Sequence, residues 1–460
     1  MDFSAANQSL WNIVIQFGII AAAVLISTLL RRRVPFIRKS LMPIAVLAGF
    51  LLLILRSTGI LNLDTSMLET MTYHGIAIGF IALSLRIPSA EAQDKGNLIA
   101  AKSGALIVST YLMQALLGFA VILPLAYTVM PDLFKAAGIL LPMGYGQGPG
   151  QANNVGGTYE ALGFTGGRSF ALAIAAAGYL CACIVGVIYL NVLARKGKLR
   201  KIQHDEISGS VNVDAFEDRG EIPVSESVDR FSMQVALVVI VYFATYLVTW
   251  GITAGLAAVS QSLSDSLSSI LWGFNFIVGS SLAMLLRVVL KKLKNKKLMT
   301  RQYQNNYLLS RISGVAFDLM IIAGIASIDI GDLTGLWVPF LLMAVSGGVV
   351  TLLYLQWLCR KLYPTYYYEG LSSMYGMLTG TISSGILLLR EIDPEFETPA
   401  ANNLITGSST GILFGVPMLI FIGMAAKSDT MLWITIGIVA VYLTALLLFI
   451  LKVKPKKKAE

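Results

Sequence analysis

Charge is scarce in this chain of 460 residues: 13% Asp, Glu, Lys and Arg stand against 56% apolar residues, and the mean hydropathy is +0.72. That balance excludes a water-soluble enzyme and a disordered regulator, because too little polar surface exists to solvate so apolar a chain. Three cysteines exclude a disulfide-stapled secreted scaffold. Cys181 and Cys183 are two apart and point to different faces of a helix, and Cys359 is distant, so neither a zinc site nor a catalytic thiol is expected. An embedded enzyme would need a nucleophile with its base or a metal cluster; no H-E-x-x-H pattern and no phosphate-loop lysine occurs, so no enzyme and no cofactor is expected. The net charge of +9 is read as a topology record of a membrane protein, not as nucleic-acid binding. No Lys or Arg occurs in the first ten residues, and Arg31, Arg32 and Arg33 follow the first apolar run. This reverses the order of a cleavable signal peptide, so the run is expected to persist as a helix.

Apolar runs at 11–30, 41–55, 68–85, 103–130, 169–194, 231–255, 268–290, 308–328, 333–359, 404–426 and 429–451 predict eleven crossings. Two stretches, 134–156 and 371–390, are apolar at one end and then interrupted by glycine and small polar residues. If neither crosses, 31 of the 35 Lys and Arg residues fall in inner segments, leaving Arg56, Lys135, Arg168 and Lys427 elsewhere. If the first crossed, the basic loop 195–230 would flip outward, against the positive-inside rule. The expected fold is therefore all-α and integral to the cell membrane, with about eleven transmembrane helices and two re-entrant hairpins. The N-terminus is outside and the C-terminus cytoplasmic.

This order contains a repeat. Residues 1–194 hold five crossings with the hairpin 134–156, and residues 231–426 hold five more with the hairpin 371–390. An odd number of crossings makes the second copy inverted. At an offset of 232, Gly144, Gly148 and Phe164 fall on Gly376, Gly380 and Phe396. The stretch 195–230 is a charged cytoplasmic linker, and 427–460 adds a helix and a basic tail, Lys452 to Lys458, suited to anionic lipid of the inner leaflet.

Non-helical backbone at membrane depth persists only where protein or water covers it, so the broken stretches are the candidate site. Residues 144–167 carry nine glycines in 24 residues. Gly146, Gly148 and Gly150 free the backbone to turn carbonyls toward a cation or amides toward a carboxylate, and Gln147, Gln151, Asn153 and Asn154 add side-chain amides. The second stretch offers Gly380 and the hydroxyls of Thr379, Thr381, Ser383 and Ser384, oxygen donors for a hard cation such as sodium. Kinked helices packed through glycine are the plainer alternative.

Gly146-Gln147-Gly148-Pro149-Gly150 resembles the first-hairpin loop of the bacterial sodium/glutamate symporters, and Gly163-Phe164-Thr165 resembles the segment leading into that family's next helix. The order of segments is similar over 31–195 and 308–426. The second hairpin departs from the family, lacking dense glycine and followed by Arg390-Glu391-Ile392-Asp393-Pro394-Glu395. The resemblance, shared in architecture with the sodium/citrate carriers, implies sodium-driven transport across the cell inner membrane, a homodimer, and a site where the hairpin tips meet. Glutamate as the transported anion rests on this resemblance alone, since no intramembrane arginine clamp announces a dicarboxylate.

Asp318 lies inside the 308–328 helix and is a candidate sodium ligand, with Thr379, Thr381 and Ser383, or a proton carrier; pairing with Arg311, two turns earlier, is its structural alternative. His74 is expected to be packed or interfacial, and His204 falls in the linker. Gly75-x3-Gly79 and Gly411-x3-Gly415 predict close helix packing, Arg287 is placed to snorkel, and Tyr363, Tyr366, Tyr367 and Tyr368 read as an interfacial belt. The expected function is sodium-coupled symport of a small organic anion, with an antiporter centred on Asp318 or an ion channel as the alternatives.

Overall fold

The computed structural model describes residues 4, 8–39, 41–87, 98–196, 224–261, 268, 271–273, 275–299, 303–393 and 398–453, and among these every regular element is helical. The first half carries α1 (Gln8–Arg33), α2 (Pro35–Lys39), α3 (Ile44–Ser57), α4 (Thr65–Leu85), α5 (Leu98–Thr128), a 3-10 turn (Lys135–Ile139), α6 (Leu140–Tyr145), α7 (Pro149–Ala161) and α8 (Gly167–Arg195). The second carries α9 (Val224–Val259), α10 (Asn275–Asn295), α11 (Asn306–Ala326), a 3-10 turn (Gly331–Leu333), α12 (Trp337–Leu362), α13 (Tyr367–Thr379), α14 (Ile382–Arg390), α15 (Ala400–Gly415), α16 (Pro417–Ala425) and α17 (Asp429–Lys452).

Among the described residues eight helices, α1, α4, α5, α8, α9, α11, α12 and α17, are long and apolar enough to cross a membrane, so the chain reads as an all-α, multi-pass membrane protein. A ninth is made if Ala400–Ser408 and Thr410–Ala425, which meet at 42°, count as one span; α3 is apolar but has 14 residues. The run 268–290 appears as α10, which begins later and continues through Lys291, Lys292 and Lys294. Arg287 snorkels along it to donate to the Ser84 and Arg86 carbonyls at 3.2 and 3.0 Å. Most of the linker, 197–223, and Phe396, the repeat partner of Phe164, lie outside the described residues.

Helix starts are set locally. The Asp64 carboxylate accepts from the Ser66 and Met67 amides at 3.0 and 3.3 Å, Asn305 caps Leu308, and Ser428 caps Met431.

The helices form two layers. One is a row in the order α1, α3, α11, α4, α10, α9. Small residues bring its central members together: a Cβ on Gly75 would stand 3.0 Å from the Ala316 carbonyl, and one on Gly79 would enter the Phe317 ring. The other layer gathers α5, α6, α7, α8, α12, α13, α14, α15 and α17 around α5 and α8. The layers meet where α7 and α8 lie against α4 and α11: Gly150 packs on Ile76 and Met320, and Gly324 on Pro149 and Leu172.

One end of the bundle is tied by Arg56, which donates to the Ala326 and Ile328 carbonyls and pairs with Asp329, and by Ser169, which donates to Asp332 at 2.8 Å. At the other, Arg287 end, Asn306 exchanges hydrogen bonds with Ile87, Lys102 donates to the Ile450 carbonyl, and Asn403 donates to Tyr366. Tyr363 departs from the expected aromatic belt. It is fully buried, stacks on Tyr366, and shares a 2.7 Å hydrogen bond with Ser103, because the chain folds back at this point to begin α13.

Candidate functional site

Two helix breaks meet in the middle of the second layer. The first follows Tyr145: Gly148 has φ +83°, a left-handed backbone that favours glycine, and Pro149, which has no N–H to lose, starts α7. The second is at Gly380 (φ −141°, ψ −105°) and the extended Thr381, after which α14 begins. A Cβ on Gly148 would stand 3.6 Å from Thr381 Cγ2, 3.7 Å from the Gly380 carbonyl oxygen and 3.8 Å from the Tyr179 hydroxyl.

Each broken stretch brings residues from its two sides into contact. Phe134 and Phe164 flank the first, yet their rings stack at 5.2 Å and 6°, with Tyr159 5.1 Å from Phe134. In the second, Gly376 faces Ser384 and Gly385, and Gly385 faces Ser373, so α13 and α14 lie side by side in opposite directions. The C-terminus of α13 and the N-termini of α7 and α14 therefore converge, presenting carbonyl oxygens and amide N–H groups to one small region.

Around this junction, buried polar atoms lack hydrogen-bond partners: Tyr179 Oη, Thr381 Oγ1, Ser384 Oγ, Gln151 Oε1 and Gln114 Oε1. Thr381 Oγ1 lies beside the Tyr179 hydroxyl without a well-formed hydrogen bond. Unpaired buried polar groups are costly, and their cluster at a helix break makes this junction the candidate site.

The expected site residues divide into groups. Gly148, Gly380, Thr381 and Ser384 come together with Tyr179. Thr379 is fully buried beside them; its hydroxyl donates to the Tyr375 carbonyl at 2.8 Å, and its carbonyl approaches Gly178. The side chain of Ser383 lies outside the described residues. Gly146 faces Tyr111 and Gln114, and Gln147 approaches Met418, so both lie behind the tip. Gly150 is spent on layer packing. Asn153 and Asn154 line a separate cavity of about 310 Å³ with Glu69, Tyr73, His74 and Arg168, and Asn154 donates to the Gly273 carbonyl. Arg168, which also lines it, makes ion pairs to Glu69 on α4 and Glu160 on α7.

Asp318 is exposed although it lies midway along α11, and it is within electrostatic reach of the buried Tyr179 across the layer boundary. Arg311, Gly314, Val315 and Asp318 are all exposed and follow one another along one face of α11. Gly314, one turn nearer the Arg287 end, is also exposed and has nothing within 4 Å of a Cβ position. The alternative pairing with Arg311 is not made: Arg311 donates to the Tyr307 hydroxyl at 3.2 Å and lies over that ring. His74 is edge-on to Tyr73 and Tyr242 and hydrogen-bonded to Tyr242 at 2.6 Å, an interfacial packing role. No group of three or more His, Cys, Asp or Glu side chains is placed to hold a metal among the described residues.

Two residues of the junction give no sequence signal. Tyr179 reads as one more aromatic in an apolar helix, and Gln114 as one amide in α5. Gln114 is fully buried and donates to Thr351 Oγ1 at 3.0 Å and to the Leu378 carbonyl at 2.9 Å, tying α5, α12 and α13 beside the break. Gly407-Ser408-Ser409-Thr410-Gly411 spells a G-x-S-x-G pattern, but it runs inside α15, where Gly407 packs on Ser103; a nucleophile elbow requires a strand-to-helix turn. No protein-family model matches this chain, and no curated protein matches it.

Proposed function

We propose that the protein is a secondary active transporter that moves a small organic anion, glutamate as the first candidate, together with sodium, through a site at the meeting tips of two re-entrant hairpins. The observation that carries this reading is the opposition of Gly148 to Gly380 and Thr381, with unpartnered Tyr179, Thr381 and Ser384 hydroxyls around it. Sodium takes the carbonyls at the end of α13 and the hydroxyls of Thr381 and Ser384, with Asp318 facing it. The bound charge then favours a carboxylate at the amides that open α7 and α14.

This reading counts eleven crossings by adding the bent pair α15–α16, the short α3 and the charged-ended α10 to the eight apolar helices. The row of the first layer supports two inverted repeats: read from either end, it runs first, second and third helix of one half interleaved with those of the other. On the positive-inside rule, the Arg287 end is the cytoplasmic side in this reading. Arg168 then seals the outer side, while the exposed face at Asp318 and Gly314 leaves the inner side open, an inward-facing state. Alternation moves the hairpin layer against the row. A homodimer is part of the same reading, on resemblance.

The exposed carboxylate of Asp318 favours a second reading, a cation or proton antiporter. Counterflow separates these from each other and from a channel: only a symporter exchanges labelled for unlabelled anion across liposomes at sodium equilibrium, whereas an antiporter exchanges cations without anion, and a channel shows no counterflow.

A further inference from the structure

Arg31 carries a buried charge that nothing in the transport reading uses. It lies in the last turn of α1 and is 7% exposed, unlike the exposed Arg32 and Arg33 that follow it. Its Nε has no hydrogen-bond partner. One turn earlier on the same face, Ser27 is fully buried and its hydroxyl is also unpartnered, although the neighbouring Thr28 finds the Val24 carbonyl at 2.8 Å. Arg31 faces Cys183 on α8 and the Arg390–Glu391 pair that ends α14. Among the described residues no ion pair within 4 Å joins Arg31, Arg390 or Glu391 to any partner. Two guanidinium groups thus lie near one carboxylate with no ion pair made, an arrangement that a bound anion would complete.

The position adds to the argument. Cys183 is one turn beyond Tyr179 on α8, so Arg31 sits about 6 Å along the helix from the hairpin junction, toward the Arg287 end. We infer that Ser27, Arg31 and Arg390 form an anion site that takes a small carboxylate or phosphate group between the hairpin junction and the Arg287 end. The charge count and the two unpartnered atoms carry the site. Its use as a station for the transported anion rests on the function proposed above.

The test uses the purified full-length protein in nanodiscs of zwitterionic lipid, in potassium buffer so that the sodium-dependent site stays unfilled. Inorganic phosphate and glutamate are titrated at constant ionic strength while the unfolding temperature is followed. A saturating rise is expected. Arg31→Gln should raise the half-saturating concentration about tenfold or more, the loss of one charge-assisted hydrogen bond, and Ser27→Ala less. Arg32→Gln, on the exposed face, should leave the response unchanged. A second arm adds anionic lipid to the discs: a rise that needs that lipid, ignores free anions and is lost in Arg31→Gln assigns the occupant as a lipid headgroup. Should Arg31→Gln fail to fold, Arg31→Lys and Ser27→Ala must each weaken the response. Equal responses in wild type and these variants, or no response in either arm, overturn the site. An Arg31-dependent response in a protein that transports nothing keeps the site and removes the transport reading.

Discussion

Gly148 and Gly380 oppose each other at two helix breaks 232 residues apart, close enough that a Cβ on the first would stand 3.7 Å from the carbonyl oxygen of the second. Each break frees carbonyls and amides that an intact helix would consume, and both open toward the same buried hydroxyls.

Gly148→Val tests that junction. The left-handed φ of +83° makes a β-branched residue cost about 1–3 kcal/mol, and its branches would fill the gap to Thr381. Uptake should be lost while the protein still elutes as a folded species with a lower melting temperature. Uptake at the original rate would remove the hairpin tips from the mechanism.

Asp318→Asn keeps the side chain's shape and removes its charge. The half-saturating sodium concentration should rise about tenfold, as for loss of one charge-assisted contact, with little change in melting temperature because the side chain is exposed. An unchanged sodium response would return Asp318 to a bystander.

Gln114→Leu deletes two donors from a fully buried position and leaves the Leu378 carbonyl without its amide. A loss of about 1–3 kcal/mol is expected, read as a lower melting temperature, together with reduced uptake because Leu378 lies two residues before Gly380 at the second break. A stability unchanged from wild type would show that α5 does not brace the hairpin.

Glu69→Gln weakens the ion pair by which Arg168 joins the hairpin layer to the row. An ion pair as solvent-accessible as this one is worth about 1 kcal/mol or less. That corresponds to as much as about a fivefold gain in outer-side opening. A cysteine introduced at Thr158, which lines the same cavity as Arg168, should react correspondingly faster with an impermeant maleimide if that side is the outer one, as proposed. Equal rates with and without the Glu69→Gln substitution would show that the pair does not hold the outer side closed.

The membrane class is legible from apolar runs alone, since each must span hydrocarbon, and most helix ends fall within a turn of the run that predicts them. The breaks at Gly148 and Gly380 are legible because glycine and small polar residues interrupt runs that otherwise continue. The contents of the site are less so. Gly150 sits in the same motif as Gly148, yet it packs on Met320 at the layer boundary, a distinction made by a neighbour 170 residues away that spacing cannot reveal. Asn153 and Asn154 lie one to two turns along α7 from Gly148, far enough to reach a different cavity. Tyr179 and Gln114 carry no signal because a polar atom on an apolar helix matters only once its surroundings are known. Arg31 is hidden in a run of three arginines, two of which are ordinary surface charges.

The measurement that bears most directly on the central claim is uptake of labelled glutamate by the purified protein in liposomes, with an inward sodium gradient and then with potassium in its place, and with aspartate, citrate and other anions as competitors. The account predicts saturable uptake that requires sodium and is abolished in Gly148→Val. Folded protein that moves no anion under a sodium gradient, or that moves it equally well in potassium, would contradict it.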